Sequence, residues 1–153
     1  GRKRRFEGLR QMAERFKLSA AVYIVFMRDN KVLLELRQNT GFEDGKFGLV
    51  QGHVDPDDKT ILDAALREAK EEAGVDIAPE DMELRLVGHQ NIFLPYIDFV
   101  FVCRKWTGEP CNNEPDKCKA LQWFELDALP DNIIYNVSEY LRCLPQQLQM
   151  IEL

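Results

Sequence analysis

Residues 52–75 read Gly52-His53-Val54-Asp55-Pro56-Asp57-Asp58-Lys59-Thr60-Ile61-Leu62-Asp63-Ala64-Ala65-Leu66-Arg67-Glu68-Ala69-Lys70-Glu71-Glu72-Ala73-Gly74-Val75. The part from Thr60 to Ala73 has a helical pattern. Thr60 and Asp63 are spaced as a capping box, and Gly74 stands where a helix terminator belongs. At about 100° per residue, Leu62, Leu66, Ala69 and Ala73 make one apolar stripe, expected to face a sheet. Glu68, Glu71 and Glu72 share a different face, because residues three and four apart are neighbours on a helix. Like charges so placed destabilise an isolated helix by about 0.2–0.5 kcal/mol per pair, so stability alone does not account for them. Two readings are open: a solvated acidic face partnered by Arg67 and Lys70, or a seat for a hard divalent cation. Such a cation takes oxygen ligands, usually one or two carboxylates with water and substrate phosphates.

Outward from this helix the chain alternates strand and helix patterns. Upstream, Ala20–Met27 is an apolar run stopped at Asp29-Asn30 and resumed as Lys31–Leu36, a hairpin signal. A polar loop from Gln38 to Lys46 leads into a short strand, Phe47–Gln51. Downstream, Leu84–Asn91 and Tyr96–Lys105 pair around Pro95, and residues 106–119 form a loop rich in Gly, Pro and Asn. Leu121–Leu126 is a further strand, and residues 133–144 a last helix. The expected fold class is α/β, with helices layered on a mixed β-sheet.

The chain has 153 residues, 45% hydrophobic and 30% charged, which suits one domain with a substantial core and argues against long disorder. A net charge of −6 gives it no overall attraction for nucleic acid or membrane surfaces. The charge is uneven. Residues 1–18 hold seven bases against Glu7 and Glu14, leaving 13 bases and 24 acids for the rest. This segment reads as a basic leader packed loosely on a domain at 19–153 through Phe6, Leu9 and Phe16; a nucleic-acid arm or targeting helix is the other reading. No apolar run approaches the roughly 20 residues that span a bilayer. The expectation is a cytoplasmic protein, monomeric or homodimeric, with Cys103, Cys111, Cys118 and Cys143 as free thiols.

Gly52 followed by Arg67-Glu68-Ala69-Lys70-Glu71-Glu72-Ala73-Gly74-Val75 closely resembles the signature of the Nudix hydrolases. That signature runs Gly, five residues, Glu, seven residues, then Arg-Glu-aliphatic-x-Glu-Glu-x-Gly-aliphatic. The second half matches at every defined position, and the flanking strands carry the likeness over roughly residues 19–144. There are two departures. The interval from Gly52 to Arg67 is one residue longer, with Asp58 or Lys59 where the central Glu would stand, and Gln51 precedes Gly52 where many relatives have a second glycine.

The resemblance implies a Nudix-like α/β/α sandwich of MutT type. The implied reaction is hydrolysis of a pyrophosphate bond in a nucleoside diphosphate linked to another group. A nucleoside triphosphate, oxidised or not, cut to monophosphate and pyrophosphate is the first choice. ADP-ribose or another NDP-sugar, or a non-catalytic nucleotide-sensing module, are the alternatives. It implies Mg²⁺ or Mn²⁺ held by Glu68 and Glu72, with Glu71 and the Gly52 carbonyl completing the site, and Arg67 orienting a carboxylate. By the same analogy a general base comes from the later loop, where Glu114 is preferred over Glu109 and Asp116 because Pro115 restricts its backbone. The candidates for the nucleotide are Arg37, His53, Tyr96, Phe93 and Trp123, an aromatic side chain being able to stack on a base. Only a small-molecule nucleotide partner is expected, with no stable nucleic-acid binding and no membrane. There is no Gly-x₄-Gly-Lys-Ser/Thr loop, Gly-x-Gly-x-x-Gly or His-Glu-x-x-His motif. With only His53 and His89, a histidine-rich metal site is excluded.

Overall fold

The computed structural model describes residues 2–13 and 15–153, and side-chain burial for all of these except 11–13. Gly1 and Glu14 of the basic leader lie outside the described residues. The first apolar run forms β1 (Ser19–Arg28), whose side chains alternate between two cores. Ala21, Tyr23, Val25 and Met27 enter one core, and Val22, Ile24 and Phe26 the other, as a two-residue period requires. Burial on both faces explains why β1 reads as an unbroken apolar run. It pairs antiparallel with β2 (Lys31–Arg37) and β4 (Val50–His53), and parallel with β6 (Tyr96–Cys103).

The other strands are β3 (Phe47–Gly48), β5 (Met82–Gln90), β7 (Cys118–Glu125) and β8 (Gln149–Glu152). The eight-stranded mixed sheet runs β3-β2-β1-β6-β5-β8, with β4 added on β1 and β7 on β2. Helix α2 (Ile61–Ala73) covers one face, and α3 (Tyr135–Cys143) covers the other through Val137, Tyr140 and Leu141. The expected α/β/α sandwich is the observed architecture.

Helix α2 begins and ends as its sequence specifies. The Thr60 hydroxyl accepts the Asp63 N–H at 3.0 Å, and Gly74 takes the left-handed conformation at φ 70° that a side chain would resist. The buried stripe differs from the expected one. Ala64, Ala65, Ala69 and Ala73 are fully buried, whereas Leu62 and Leu66 are only partly so. Alanines let the helix lie close to the sheet, and the leucines then seal its flanks.

Three other expectations need correction. The last helix starts at Tyr135, not 133, because the chain at 132–134 is engaged with β3: the Phe47 N–H donates to the Asn132 carbonyl and the Ile134 N–H to the Phe47 carbonyl. β8 was not expected, since its short sequence shows no clear period. It is held by parallel pairing of Leu86–His89 with Gln149–Glu152. In the leader, Arg2–Ala13 form helix α1, but Phe6, Leu9 and Phe16 are 57%, 53% and 78% exposed and so are not packed on the domain. Two or three apolar side chains flanked by Arg2, Lys3, Arg4, Arg5 and Arg10 offer little area against the cost of desolvating those charges.

Candidate active site

Helix α2 and strand β4 come close together at Gly52, which faces Glu68. A Cβ at this position would fall 2.0 Å from the carboxyl carbon of Glu68, so a side chain here would displace that carboxylate from its place against β4. One residue earlier, the Gln51 N–H donates to Glu72 Oε2 at 3.1 Å. Glu68, Glu71 and Glu72 thereby line one cleft of about 600 Å³, joined there by Arg37, Arg67, Glu35 and Glu114.

Arg67 organises the near side of this cleft. Its guanidinium makes a bidentate pair with Asp58 at 3.0 and 2.8 Å and donates to Glu68 at 2.8 Å, to Glu71 at 3.2 Å and to the His53 carbonyl at 3.1 Å. Asp58 rather than Lys59 therefore meets the motif arginine in the lengthened interval. That pairing holds the Asp58 carboxyl below its usual range. Burial pushes Glu68 up in spite of Arg67. Glu35 and Glu72, both deep in the cleft, are pushed up by burial first; for Glu72 the neighbouring Glu35 adds to it.

Glu114 reaches the cleft because its loop is tied to the C-terminus of α2. The Asn113 side chain donates to the Glu71 carbonyl at 3.0 Å, its N–H to the Glu72 carbonyl at 3.2 Å, and the Cys111 N–H to the Ala73 carbonyl at 3.0 Å. These bonds use carbonyls that the helix end leaves free. Of the two competing acids, Glu109 pairs instead with Arg28 at 3.0 Å, and Asp116 is absent from the cleft lining.

Among the described residues, no three His, Cys, Asp or Glu side chains already surround a common point as metal ligands. Arg67 draws Glu68 and Glu71 to itself. The donor set nevertheless fits a hard cation. It is made of carboxylates and the Gly52 backbone, and the mutual proximity of Glu35 and Glu72 is a repulsion that positive charge would relieve.

A second cavity of about 390 Å³ adjoins the first and shares Arg37, Thr40, Gln51, Gly52 and His53 with it. Its walls are aromatic. Phe42 and Phe93 meet edge to face at 4.9 Å, and the Tyr96 hydroxyl lies 2.7 Å from His53 Nε2. Arg37, His53, Tyr96 and Phe93, four of the residues considered for the nucleotide, thus line one cavity. Trp123 is not: it stacks on Trp106 with ring centroids 6.1 Å apart, beneath the Arg28 guanidinium, in the core covered by α2. Strand alternation at β7 sends it to that face.

Sequence reasoning missed Glu35, Phe42 and a buried polar group under the second cavity made by Tyr23, Gln90, Asp98, Asn136 and Tyr140. Glu35 did leave a signal, being a lone charge inside the apolar strand Val32-Leu33-Leu34-Glu35-Leu36. Phe42 and the buried group left none, because their partners come from distant parts of the chain.

The NUDIX domain family model matches residues 16–145. The chain belongs to the NUDIX family. It is 27% identical over 114 residues to the NAD-capped RNA hydrolase NudC of Pseudomonas aeruginosa, an alignment covering 74% of this chain and 38% of that protein. The chain thus spans well under half the length of this curated relative. Among solved structures, a MutT NUDIX hydrolase from Burkholderia pseudomallei superposes with a TM-score of 0.75 at 28% identity, covering 83% of this chain and 98% of that one. A MutT/nudix family protein from Enterococcus faecalis shares the fold with a TM-score of 0.72 at 20% identity, covering 92% and 69%.

Proposed function

We propose that this chain hydrolyses a pyrophosphate bond in a nucleoside diphosphate linked to another group, with a nucleoside triphosphate, cut to monophosphate and pyrophosphate, as first choice. The observation that carries this reading is the junction of two unlike clefts at Gly52 and His53. One is lined with carboxylates and suits metal and polyphosphate, and the other is aromatic and suits a base.

In this reading Glu68 and Glu72 are the principal ligands of a divalent cation, Mg²⁺ or Mn²⁺, and Glu71 and the Gly52 carbonyl complete the set. Bound there, the cation would supply charge neutralisation at the phosphate oxygens and activation of water. Gln51 fixes Glu72 through its N–H, and Arg67 fixes Glu68 and Glu71 while remaining tied to Asp58. Arg37, held to the Phe42 carbonyl at 2.9 Å, presents positive charge where the two clefts meet. In the same reading Glu114, which lines this cleft, accepts a proton from the attacking water. No nucleophilic side chain is required.

A non-catalytic sensing module has less support, since a pure binder gains nothing from several carboxylates that raise one another's charge cost. The test is product release from a panel of nucleoside triphosphates, ADP-ribose, UDP-sugars, NAD and NAD-capped RNA, each with Mg²⁺, Mn²⁺ or EDTA. Cation-dependent release of a nucleoside monophosphate supports the reading. Turnover undiminished in excess EDTA, or no turnover of any member, overturns it.

A further inference from the structure

The aromatic cavity has a polar floor that the phosphate chemistry does not use. Asp98 lies on β6 opposite Gly88 of β5 and is wholly buried, and Gln90, two residues along β5, is 4% exposed and lines the cavity. The two side chains engage each other directly: Gln90 Nε2 donates to Asp98 Oδ2 at 2.6 Å. Tyr140 donates its hydroxyl to the same oxygen at 2.7 Å, reaching across Gly88, where a Cβ would meet that hydroxyl at 2.1 Å. Asn136, 3% exposed and also in the lining, donates to the Tyr23 hydroxyl at 3.2 Å.

Two atoms stay out of this network. Gln90 Oε1 and Asp98 Oδ1 are buried and have no hydrogen-bond partner, and they are the unpaired side-chain atoms identified among the described residues. Both are acceptors, and they belong to two groups already bonded to each other. Folding a carboxylate into a site where none of the salt bridges found among the described residues reaches it, and leaving an amide oxygen idle beside it, is costly unless something supplies N–H donors. Core packing does not call for it, because an apolar pair of similar shape would cost less. The cavity above is lined by Phe42, Phe93 and Tyr96, and an aromatic lining suits a planar heterocycle.

We propose that Gln90, backed by Asp98, reads an exocyclic amino group on the base, so that the cavity selects amino-bearing nucleobases over their oxo or unsubstituted counterparts. The inference rests on the reading of this cavity as the base site of a nucleotide. An amino group can donate to the Gln90 oxygen, and an oxo group in the same place would set its own lone pairs against it. Sites built to bond a polar group reject analogues that lack it, because the buried partners are then left unpaired. Gln90, held by Asp98, is the contact. Asp98 and Tyr140 are positioning residues, which fix the amide so that its oxygen rather than its nitrogen is free.

The experiment compares matched pairs of nucleoside monophosphates, GMP against IMP and CMP against UMP, by calorimetric titration of the full chain in EDTA. Monophosphates have no pyrophosphate bond, so base reading is measured apart from turnover and from metal. Failure here leaves the hydrolase reading standing, and failure of the substrate panel leaves this one standing. The amino member of at least one pair is expected to bind at least five-fold more tightly, and Gln90→Met is expected to bring that ratio below five. Asp98→Asn, which keeps an acceptor for Tyr140 but loses the carboxylate, is expected to do the same. Ratios below five in both pairs for the native chain overturn the proposal. So does a ratio that stays at five or above in a folded Gln90→Met. Should neither variant fold, the native ratio decides.

Discussion

Glu72 combines two demands that conflict in the free protein. It sits half-buried beside Glu35, where burial and like charge hold its carboxyl above the usual range, and it is fixed there by the Gln51 N–H. Substituting Gln keeps an oxygen to accept that N–H and removes the repulsion. Glu72→Gln should therefore raise the melting temperature in EDTA while lowering Mg²⁺-supported turnover by about two orders of magnitude or more. A variant that turns over at the native rate would remove Glu72 from the proposed ligand set. Glu114 poses a different question, since it shares the cleft without being on α2. As a base it should be needed for rate more than for affinity, so Glu114→Gln is expected to depress kcat about 10²- to 10⁴-fold with little change in KM. Unaltered kcat, with Glu71→Gln strongly impaired, would place the base on the helix.

Helix α2 shows how local chemistry positions those residues. Its three motif glutamates have a fixed spacing, but the angle at which they meet β4 depends on where the helix starts and how close it lies. Thr60 sets the start, and the four buried alanines set the distance. Thr60→Ala removes the bond to the Asp63 N–H and should cost about 1 kcal/mol of stability. In chemical denaturation that appears as a lower midpoint at unchanged slope. A loss well beyond that would mean Thr60 does more than cap. The same element anchors the loop that brings in Glu114, because Asn113 and Cys111 cap its last carbonyls. No sequence period marks that link, which joins residues about forty apart in the chain.

Across the whole molecule, the sheet separates two electrostatic problems. Next to the α2 side lies the acidic cleft, and beneath α3 lies the isolated Asp98 carboxyl. Burial holds Asp98 above the ordinary value of 3.8, opposed by the donors from Tyr140 and Gln90. A carboxyl raised in the folded state binds its proton more tightly there than in the unfolded chain. Its contribution to stability is full below about pH 3.8 and falls as pH rises through the raised value. Asp98→Asn lacks this dependence, so its melting temperature relative to the native chain should climb between pH 4 and pH 8. A pH-independent difference would show that Asp98 is not strained by burial. The basic helix α1 stands outside both problems, exposed along its described length. A chain beginning at Leu18 should keep the native melting temperature within about 2 °C and the same turnover; a selective loss of turnover would draw the leader into the site.

Much of this architecture is decided by local pattern. The two-faced burial of β1, the hairpin at Asp29-Asn30, both ends of α2 and the gathering of Glu68, Glu71 and Glu72 on one face follow from periods of two and 3.6 residues and from Thr60 and Gly74. These are properties of neighbours in the chain, so they can be read in order. What the tertiary structure decided involves residues that meet only when the sheet closes. Asp58 rather than Lys59 reaches Arg67, and Glu35 comes from β2 to stand beside Glu72. Trp123 goes to the α2 core rather than the cleft, and Gln90 and Asp98 are left with idle oxygens beneath an aromatic cavity. Each depends on which elements pack side by side, and for the strand residues also on register, where a one-residue slip would send the side chain to the opposite face of the sheet.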